Sequence, residues 1–495
     1  MNRPVLSFAL ASLLAACTES SPSTPTPDAG ATTDIPNDLA TADVTEDIPA
    51  TPKVDAGPPP PRWPRQLPDA RTIFDARGLR AARAIVHAHS VHSHDACDGN
   101  PYVDGGPNEP CLQSFRRALC DTRIDVIFLT EHAGHMAEGS FERVMQHRDG
   151  DELIREEGAL VGYRIACASG HRVLLLPGAE NELMPIGLTR HPELRDGDLG
   201  RAYHDDLASG AARFRAAGAL VAVPHVEQRS IADLRAISPD VLELYNIHAN
   251  LDPRIAGPHL GFNVGQALAD LLRFRSVSSG LDPEWAFLTF FQENQNDLGK
   301  WAQLLTDGVR LAAVAASDAH ENVLPQPLAD GERGDSYRRV FRWFNNELLV
   351  RGEVTRASAM QALRDARALT VFETFGTPAG FSYTAVTAGA TADVGDTVML
   401  SDGPELRVTL PSVMDLDASL PRPEVSARIL RAEASGAWTV VAMGTEATLS
   451  FRPTTAGIYR AEARITPRHG APYLPGLERL VRDVPWVYAN PIWVR

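Results

Sequence analysis

Four histidines and one aspartate lie within a single short stretch of this sequence. The stretch IVHAHSVHSHD ends at Asp95 and contains His87, His89, His92 and His94. Residues two apart on an extended chain face the same side, so His87 and His89 can bind one cation from the end of a strand. Neutral imidazoles and a carboxylate suit zinc, manganese or iron, and such sites usually collect ligands from several strands. The pattern predicts a metal site; the alternative is a histidine-rich surface loop that binds metal adventitiously.

Residues with ligand chemistry also accompany the apolar, strand-like runs further along the chain. The strand before His87 and the runs at 124–130, 173–179, 219–224, 241–246, 309–317 and 368–373 make seven strands. In or just beyond these runs stand Glu131, His132, Glu180, His225, Glu243, Asp318 and His320. Helical patterns separate the runs, among them one predicted over 336–350, and this alternation implies a parallel sheet. Seven parallel strands with polar residues at their carboxyl ends predict an α/β barrel whose active face is that end.

The length of the chain predicts about two domains, and its charge argues against one class of partner. The chain has 495 residues and a formal net charge of −16, so a nucleic acid would be repelled. We expect the barrel domain to occupy residues 66–376. From 377 to 495, short alternating segments separated by Gly, Pro, Asp and Ser predict an all-β sandwich without a catalytic constellation.

The first 65 residues predict export followed by a tether. Arg3, an apolar stretch too short to span a bilayer, and the sequence LAAC ending at Cys17 resemble a bacterial lipoprotein signal over residues 1–17. That resemblance implies lipidation of Cys17, with an ordinary secretory signal as the alternative. Residues 18–65, rich in Thr, Pro, Asp, Ala and Ser, are predicted to be a disordered tether. We therefore expect an exported protein held to the bacterial cell envelope, at the outer membrane, by its lipid alone.

Four further cysteines, an even number in an oxidising compartment, favour disulfides over free thiols. Cys97 and Cys111 bracket a loop of Gly, Pro, Asn and Asp, so we pair them, and by default we pair Cys120 with Cys167. Three pairings are possible from sequence alone, and a zinc site built from these cysteines is the alternative. None of the four has the C-x-x-C spacing that many zinc sites use.

The polar motifs, taken in order, resemble those of one enzyme superfamily. They are HxHSxxSxD at 87–95, TEH at 130–132, GAE at 178–180, PH at 224–225 and SDAH at 317–320. Together they resemble the polymerase and histidinol phosphatase (PHP) superfamily of metallohydrolases over residues 80–375. A looser similarity extends through the C-terminal segment to exported members that carry an added β domain.

The resemblance implies a distorted, seven-stranded, TIM-like (β/α) barrel with two or three divalent metal ions (Zn, Mn or Fe) at its carboxyl-end mouth. The first metal would be bound by His87, His89, Glu180 and Asp318. Glu180 would bridge to a second metal, which His225 also binds. The third metal would be bound by Asp95, His132 and His320. Catalysis would depend on Asp318, Glu180, His225 and His320.

Two features depart from the superfamily pattern. Glu131 stands where the superfamily usually has Asp. The further histidine that usually completes the second metal site has no clean match. Its candidates are Glu182, His191 and His204, and we prefer His191, which follows a short apolar segment. Four histidines fit no ligand position and are expected to be solvated or to support the ligands: His92, His94, His135 and His147. We place His248 near the mouth.

The predicted activity is metal-dependent hydrolysis, because clustered metals activate water and polarise the bond that breaks. Phosphoric esters are the usual substrates of the superfamily, so we expect a phosphoesterase acting on a small-molecule or polymer-linked ester. One alternative is hydrolysis of carbamate, ester or amide bonds on the same centre. The other is a catalytically inactive, surface-anchored binding protein. The sequence makes no prediction about oligomeric state.

Overall fold

The computed structural model describes residues 60–74, 77–194, 197–205 and 207–495. Its first thirteen strands are β1 (Leu79–Ile85), β2 (Tyr102–Val103), β3 (Gly106–Pro107), β4 (Val126–His132), β5 (Glu152–Glu156), β6 (Ala159–Ala166), β7 (Arg172–Glu180), β8 (Met184–Ile186), β9 (Leu220–Val223), β10 (Val241–Asn246), β11 (Ala312–Ala316), β12 (Asn345–Arg351) and β13 (Ala368–Val371). Apart from the β2–β3 hairpin, they belong to one large sheet. The buried side chains of its central strands form the core of this region.

Parallel pairs connect most of the strands that lead to the predicted ligands. β1 pairs with β4, β4 with β7, β9 with β10, and β10 with β11. Four strands of this sheet that the sequence analysis did not predict run antiparallel to a neighbour. β5 pairs with β6 and β6 with β7, β8 joins β7 to β9, and β12 lies beside β1. The seven predicted strands are therefore present, but the sheet is mixed rather than purely parallel. Beyond β1, Asp318 N–H donates to His87 O at 2.9 Å, which places the ends of β1 and β11 side by side.

The helix predicted over 336–350 is wrong in its second half. The helix ends at Trp343, and Asn345–Arg351 forms β12, which hydrogen-bonds to β1 on one side and β13 on the other. Phe344 and Leu348 do stand at helical spacing, and both are buried. A strand that is covered on both faces loses the two-residue alternation, so its apolar pattern can match that of a helix.

Helices connect the strands, and several of them begin with a side-chain cap. The α-helices are Ala96–Gly99, Glu109–Asp121, Ala133–Ala137, Phe141–Val144, Leu199–Tyr203, Ala208–Ala216, Ile231–Ile237, Ile247–Leu251, Pro253–Leu260, Val264–Arg273, Gln295–Thr306, Tyr337–Trp343 and Arg356–Arg364. The short 3-10 helices are Ala70–Thr72, Val226–Gln228, Val277–Ser279, Pro283–Thr289, Glu373–Phe375, Leu400–Asp402, Arg468–Tyr473 and Glu478–Leu480. Asn108, Ser230 and Asn294 each accept a hydrogen bond from the backbone N–H three residues on, as helix caps do. Within the described ranges, no helix has the length and apolar character needed to cross a membrane.

The C-terminal region is built from β-strands. They are β14 (Pro378–Ala379), β15 (Ser382–Val386), β16 (Thr391–Asp393), β17 (Thr397–Val398), β18 (Glu405–Thr409), β19 (Ser412–Val413), β20 (Glu424–Ala432), β21 (Trp438–Gly444), β22 (Thr448–Phe451), β23 (Gly457–Thr466), β24 (Val484–Ala489) and β25 (Ile492–Val494). β15, β16, β18 and β22 form a separate four-stranded sheet, whereas β24 pairs with β13 and so extends the large sheet. The buried Tyr383 hydroxyl donates to Tyr459 O at 2.9 Å and links the two sheets. The region is all-β, as predicted, but its larger sheet continues that of the preceding region.

Two buried asparagine side chains take the place of backbone pairing along β11. Asn346, in β12, exchanges two hydrogen bonds with the backbone of Ala315, and Asn490, after β24, does the same with Ala313, all at 2.8 Å. A primary amide offers the donor and acceptor of a peptide group, so it can satisfy the buried polar groups of a strand. Because β11 leads directly to Asp318, the two asparagines hold the strand that presents this residue.

The chain is already packed before the predicted end of the tether. Trp63 is 6% exposed, and its ring centroid lies 5.0 Å from that of Trp285 and 5.6 Å from that of Tyr473. Burying an indole among aromatic rings removes a large apolar area from water. The predicted tether boundary at residue 65 is therefore too late. The predicted signal peptide, Cys17 and residues 18–59 lie outside the described residues.

Two disulfides join Cys97 to Cys111 and Cys120 to Cys167, which is the predicted pairing. The first closes the loop that leaves Asp95 and contains the β2–β3 hairpin. At the start of this loop, Cys97 N–H donates to His320 O at 3.0 Å. The disulfide loop therefore begins beside the segment that carries His320.

Candidate metal centre

Two histidines and two carboxylates meet where β1, β7 and β11 end. Nε2 of His87 lies 3.3 Å from Glu180 Oε1 and 3.2 Å from Asp318 Oδ1. Nε2 of His89 lies 3.3 Å from Glu180 Oε2 and 3.4 Å from Asp318 Oδ1. Both histidines are fully buried and both carboxylates nearly so. The structure thus brings together the four residues proposed for the first metal, and their donors are of the kind that zinc and similar divalent ions take. By mutual distance, His225 also groups with His87, Glu180 and Asp318, and His89 groups with His132 and His320.

A second pair of histidines approaches the same two carboxylates from another side. His225 Nε2 lies 2.8 Å from Glu180 Oε1, and His248 Nδ1 lies 3.2 Å from Asp318 Oδ2. The two rings meet edge to face with centroids 5.2 Å apart. His248 therefore occupies the place for which the sequence analysis preferred His191.

The third group lies on the far side of His89. Asp95 Oδ1 lies 3.2 Å from His132 Nε2, and Asp95 Oδ2 lies 3.4 Å from His320 Nε2. The His320 ring stacks on His89 at a centroid distance of 3.9 Å. His132 Nδ1 in turn lies 3.1 Å from Glu180 Oε2, so this group adjoins the first.

Two of these residues have left-handed backbone conformations directly after a strand. His225 has φ 48° and Asp318 has φ 46°, a region that non-glycine residues rarely adopt. Each conformation is held by its own backbone N–H: His225 donates to Glu243 Oε2 at 3.0 Å, and Asp318 donates to His87 O at 2.9 Å. Backbone strain of this kind concentrates at functional sites.

Two buried glutamates support the ligands without joining them. Glu243 Oε1 accepts a hydrogen bond from His87 Nδ1 at 2.6 Å. Glu131 accepts hydrogen bonds from the Ser93 hydroxyl at 2.7 Å and from Ser90 N–H at 3.2 Å. It therefore holds the loop that follows His89, and its side chain does not enter the ligand cluster. Partners of this type orient metal-binding histidines and raise their basicity.

These supporting bonds decide which ring nitrogens carry protons. A carboxylate can only accept, so His87 Nδ1 must carry the hydrogen that bonds Glu243. The Ser93 hydroxyl donates to Glu131 and therefore accepts from His89 Nδ1, at 2.9 Å. In the neutral form of both rings, the two Nε2 atoms face each other as lone pairs, 3.1 Å apart. Two facing lone pairs repel each other unless a cation or a proton lies between them.

Three further buried atoms in the cluster make no hydrogen bond: Asp95 Oδ1, Asp318 Oδ1 and His320 Nε2. An unsatisfied buried polar atom costs about 1–3 kcal/mol, so three at one place need an explanation. His320 Nδ1 lies 2.9 Å from Asp318 O, to which it can donate, and this leaves Nε2 with the lone pair. Divalent metal ions would satisfy all three atoms, so the residues present fit the group that the motifs imply.

The ionisation of the cluster agrees with that fit. Burial would raise the pKa of Glu180 and Asp318, but the adjacent His87 holds both well below their ordinary values. Burial would lower the pKa of His132, yet the adjacent carboxylates of Asp95 and Glu180 raise that pKa to about 10. Burial, reinforced by His89, lowers the pKa of His320 to about 4. The adjacent carboxylates also raise the pKa of His87 well above its ordinary value, against the effect of burial. The carboxylates are therefore ionised at neutral pH, while His87 and His132 carry protons that a metal ion would have to displace.

Three of the predicted candidates lie elsewhere. His191 bonds the Tyr203 hydroxyl through Nδ1 at 2.9 Å and Gly139 O through Nε2 at 2.8 Å, so neither nitrogen is left for a metal. His204 is exposed and bonds the carbonyl of its own helical turn, and Glu182 pairs with Arg229. The preference for His191 is therefore corrected: the structure does not bring it to the cluster.

The four remaining histidines lie around the cluster or away from it. His92 and His135 stack on each other beside it, with ring centroids 5.0 Å apart, and burial lowers the pKa of His92 to about 4. His94 is exposed and forms a further possible ligand group with Asp95 and His132, although the sequence analysis gave it no ligand position. His147 packs edge-on against Tyr163 and takes no part in the possible ligand groups found among the described residues.

The chain matches no protein-family model and no curated protein sequence. Among solved structures it is similar to a two-domain protein from Bacteroides vulgatus that contains a predicted PHP-like metal-dependent phosphoesterase. The two chains are 13% identical, with a TM-score of 0.34, and the match covers 84% of this chain and 97% of the other. Likeness at that level carries no argument about function, which therefore depends on the site itself.

Sequence reasoning missed Glu243 as a support and undervalued His248. Glu243 lies inside a strand rather than at its end, so only the pairing of β9, β10 and β11 shows that it faces His87. His248 follows the end of β10 by two residues, the same strand-end signal that identified the other ligands.

Proposed function

We propose that this protein is a metal-dependent hydrolase that binds two or three divalent ions in the cluster centred on Glu180. The observation that carries the proposal is the convergence of histidine nitrogens and carboxylate oxygens on Glu180 and Asp318, together with the three buried atoms of the cluster that make no hydrogen bond. His87, His89, Glu180 and Asp318 would hold the first ion. Glu180, His225 and His248 would hold the second. Asp95, His132 and His320 would hold the third.

When bound, the metals would supply Lewis acidity for the activation of water and of the scissile bond. The protein supplies the positioning. Glu180 is fixed by His225 and His132 on opposite sides, so it holds the ligand groups at a constant separation. Asp318, kept ionised by His87, can accept a hydrogen bond from a water molecule that attacks the substrate and so orient it. His248, 3.2 Å from Asp318 Oδ2, helps to fix that carboxylate.

We further propose phosphoric esters as the substrates, because the order of the motifs in this chain resembles the PHP superfamily. The same resemblance supports a distorted barrel for residues 66–376. The backbone bonds between the segments after β1 and β11, together with the chain of pairs from β1 through β4, β7, β8, β9 and β10 to β11, support that arrangement. Carbamate, ester or amide hydrolysis on the same centre is the alternative reaction. A hydrolysis screen of the zinc- and manganese-loaded protein against aryl phosphate, phosphodiester, carboxylic ester and carbamate substrates tests the choice.

Metal content separates this proposal from an inactive binding protein. We expect two or three tightly held ions per chain by elemental mass spectrometry after dialysis, together with hydrolysis of at least one substrate class. Glu180→Gln should lose both, whereas the matched control Glu182→Gln should lose neither. Wild-type protein that holds no metal and hydrolyses none of the substrates would refute the enzyme proposal.

We also propose that the protein is exported and anchored to the outer membrane through a lipid on Cys17, with residues 377–495 as a second, β domain. The lipoprotein-like signal at the start of the sequence supports the anchor. Membrane fractionation of cells producing wild-type protein and Cys17→Ser tests it. The variant should move from the membrane fraction to the soluble fraction, and equal membrane retention of both proteins would contradict the anchor.

A further inference from the structure

A cavity rich in arginine lies at the opposite end of the strands from the metal cluster. Its volume is about 510 Å³, within the range of small-molecule sites. Arg80 lies at the start of β1, Arg123 just before β4, and Arg172 at the start of β7. The candidate ligands His87, His132 and Glu180 follow or end these same strands. Seven or more strand residues separate the two sites by about 20 Å, so the cavity is not part of the candidate metal centre.

The charge of this cavity is opposite to that of the chain. Five arginines and three carboxylates line it, although the chain as a whole has 47 basic and 63 acidic residues. Arg71 pairs with Asp69, and Arg80 pairs with Glu353. Arg164 and Arg172 share the single carboxylate of Glu152, which leaves positive charge in excess.

Arg123 is the residue that points to a ligand. Its guanidinium has no hydrogen-bond or ion-pair partner in the part of the chain that the structure describes. Its backbone is left-handed, with φ 52°, directly after the C-cap Thr122 of the helix Glu109–Asp121. Glycine is the residue that this position favours, because it has no Cβ to strain. An arginine there lowers stability relative to glycine, and no hydrogen bond or ion pair of its guanidinium with the described residues offsets that cost.

We propose that this cavity binds a phosphate-type oxyanion, with Arg123 as its principal contact. The planar guanidinium presents paired donors that match two oxygens of a phosphate group. Arg164 and Arg172, which share one carboxylate, add positive charge, and the Ser169 hydroxyl lines the same cavity. The anion comes from one of two sources, a soluble phosphate compound or the headgroup of an anionic phospholipid. This site is separate from the proposed hydrolase centre and does not depend on it.

Isothermal titration of the chelator-treated full chain with inorganic phosphate, at constant ionic strength maintained with chloride, tests the site. We expect one phosphate per chain. Arg123→Gln should weaken binding by about ten-fold or more, the usual loss for a charge-assisted hydrogen-bond pair. Arg452→Gln, an exposed arginine of the C-terminal region, is the matched control and should change the affinity less than about two-fold.

Arg123→Gly separates binding from folding. It relieves the left-handed strain, so its melting temperature should be equal to or above that of the wild type while phosphate binding is lost. Glu180→Gln, which disables the metal cluster, should bind phosphate normally. Absence of saturable binding, unchanged binding in Arg123→Gly, or a loss that follows Glu180 instead of Arg123 would each overturn the proposal.

Sedimentation of a Cys17→Ser chain with vesicles identifies the source of the anion. Binding to phosphatidylglycerol–phosphatidylcholine vesicles but not to phosphatidylcholine alone, and its loss in Arg123→Gly, would assign the cavity to a lipid headgroup. Phosphate binding without vesicle binding would assign it to a soluble compound. If neither probe binds in an Arg123-dependent way, the site does not exist as described.

Discussion

Two acidic clusters in this protein place at least three potential ligand atoms within 4.8 Å of one another, yet they differ in what neutralises them. One is the cluster around Glu180 and Asp318. The other, which we call the arginine-paired cluster, consists of Glu284, Asp330 and Glu332. Spacing alone would assign a metal to both.

Arginine satisfies the arginine-paired cluster. Arg339 lies 3.1 Å from Glu284 and 3.0 Å from Asp330, and Arg338 lies 2.7 Å from Glu332. Burial would raise the pKa of Glu332, but the Arg338 contacts hold it at about 2. Around Glu180, Asp318 and Asp95, by contrast, every ion pair that the structure records among the described residues is with a histidine. Proximity of carboxylates is therefore not evidence of a metal site unless fixed cations are missing and lone pairs are left over.

The variant Glu180→Gln gives the strongest test of the difference between the two clusters. We expect kcat/KM to fall on the order of 10³-fold, because the amide removes charge from the middle of the ligand groups. Metal content should fall with it. Steady-state kinetics and elemental analysis measure both quantities, with Glu182→Gln as the matched control. A variant with full metal occupancy and near-normal turnover would show that the cluster is not organised around Glu180.

Glu284→Gln is the corresponding change in the arginine-paired cluster. Removing one partner of a buried ion-pair network costs about 3–5 kcal/mol, so the free energy of unfolding should fall by that amount. Metal content should stay at the wild-type level, because arginine already neutralises these carboxylates. Denaturant unfolding gives the free energy, and the exposed Glu193→Gln is the control. Loss of bound metal from Glu284→Gln would contradict the distinction between the clusters.

Asp318→Asn should separate metal binding from catalysis. The amide keeps one oxygen but cannot accept a proton, so we expect kcat to fall about 10²-fold or more while most of the metal is retained. Measuring kcat together with metal content decides the matter. Equal, severe loss of both would show that Asp318 acts mainly as a ligand.

His248→Ala and His191→Ala test which histidine completes the second group. Loss of His248 should lower the affinity for one metal ion by about 10–100-fold, which is the usual effect of removing a residue that orients or coordinates a metal. His191→Ala is the control, since its nitrogens already bond Tyr203 and Gly139, and it should retain all metal. Competition with a chromogenic chelator measures the affinities. The reverse result would restore the original preference for His191.

Metal affinity should rise with pH, and this is the smallest of the predicted effects. His132 has a pKa of about 10 in the metal-free cluster, so at pH 7 it binds a proton that is released when a metal binds. Raising the pH removes that competing proton, and the affinity should increase by up to about ten-fold per pH unit per proton released. His320, with a pKa of about 4, contributes nothing above pH 6. Affinities at pH 6, 7 and 8 that do not change would contradict this ionisation of His132.

The site was more predictable than the sheet that carries it, for a physical reason. His87, His89, Glu180 and Asp318 could be recognised because each follows an apolar run, and the carboxyl ends of parallel strands meet. β8 and β12 are short or buried on both faces, so neither shows a two-residue alternation. Whether His248 or His191 reaches the cluster depends on the path of the loop between β8 and β9. The pairing of these strands within the sheet fixes that path. Local patterns do not contain that information.

The hydrogen bonds between Asn490 and Ala313 can form only after nearly the whole chain has been synthesised. Asn490 follows Ala313 by 177 residues, yet it satisfies the strand that leads to Asp318. Chains emerge at about 5–20 residues per second, so on the order of ten seconds or more separates these two positions during translation. For that interval β11 lacks one of its two amide partners. The candidate metal centre can therefore reach its final geometry only after the C-terminal strands have been made.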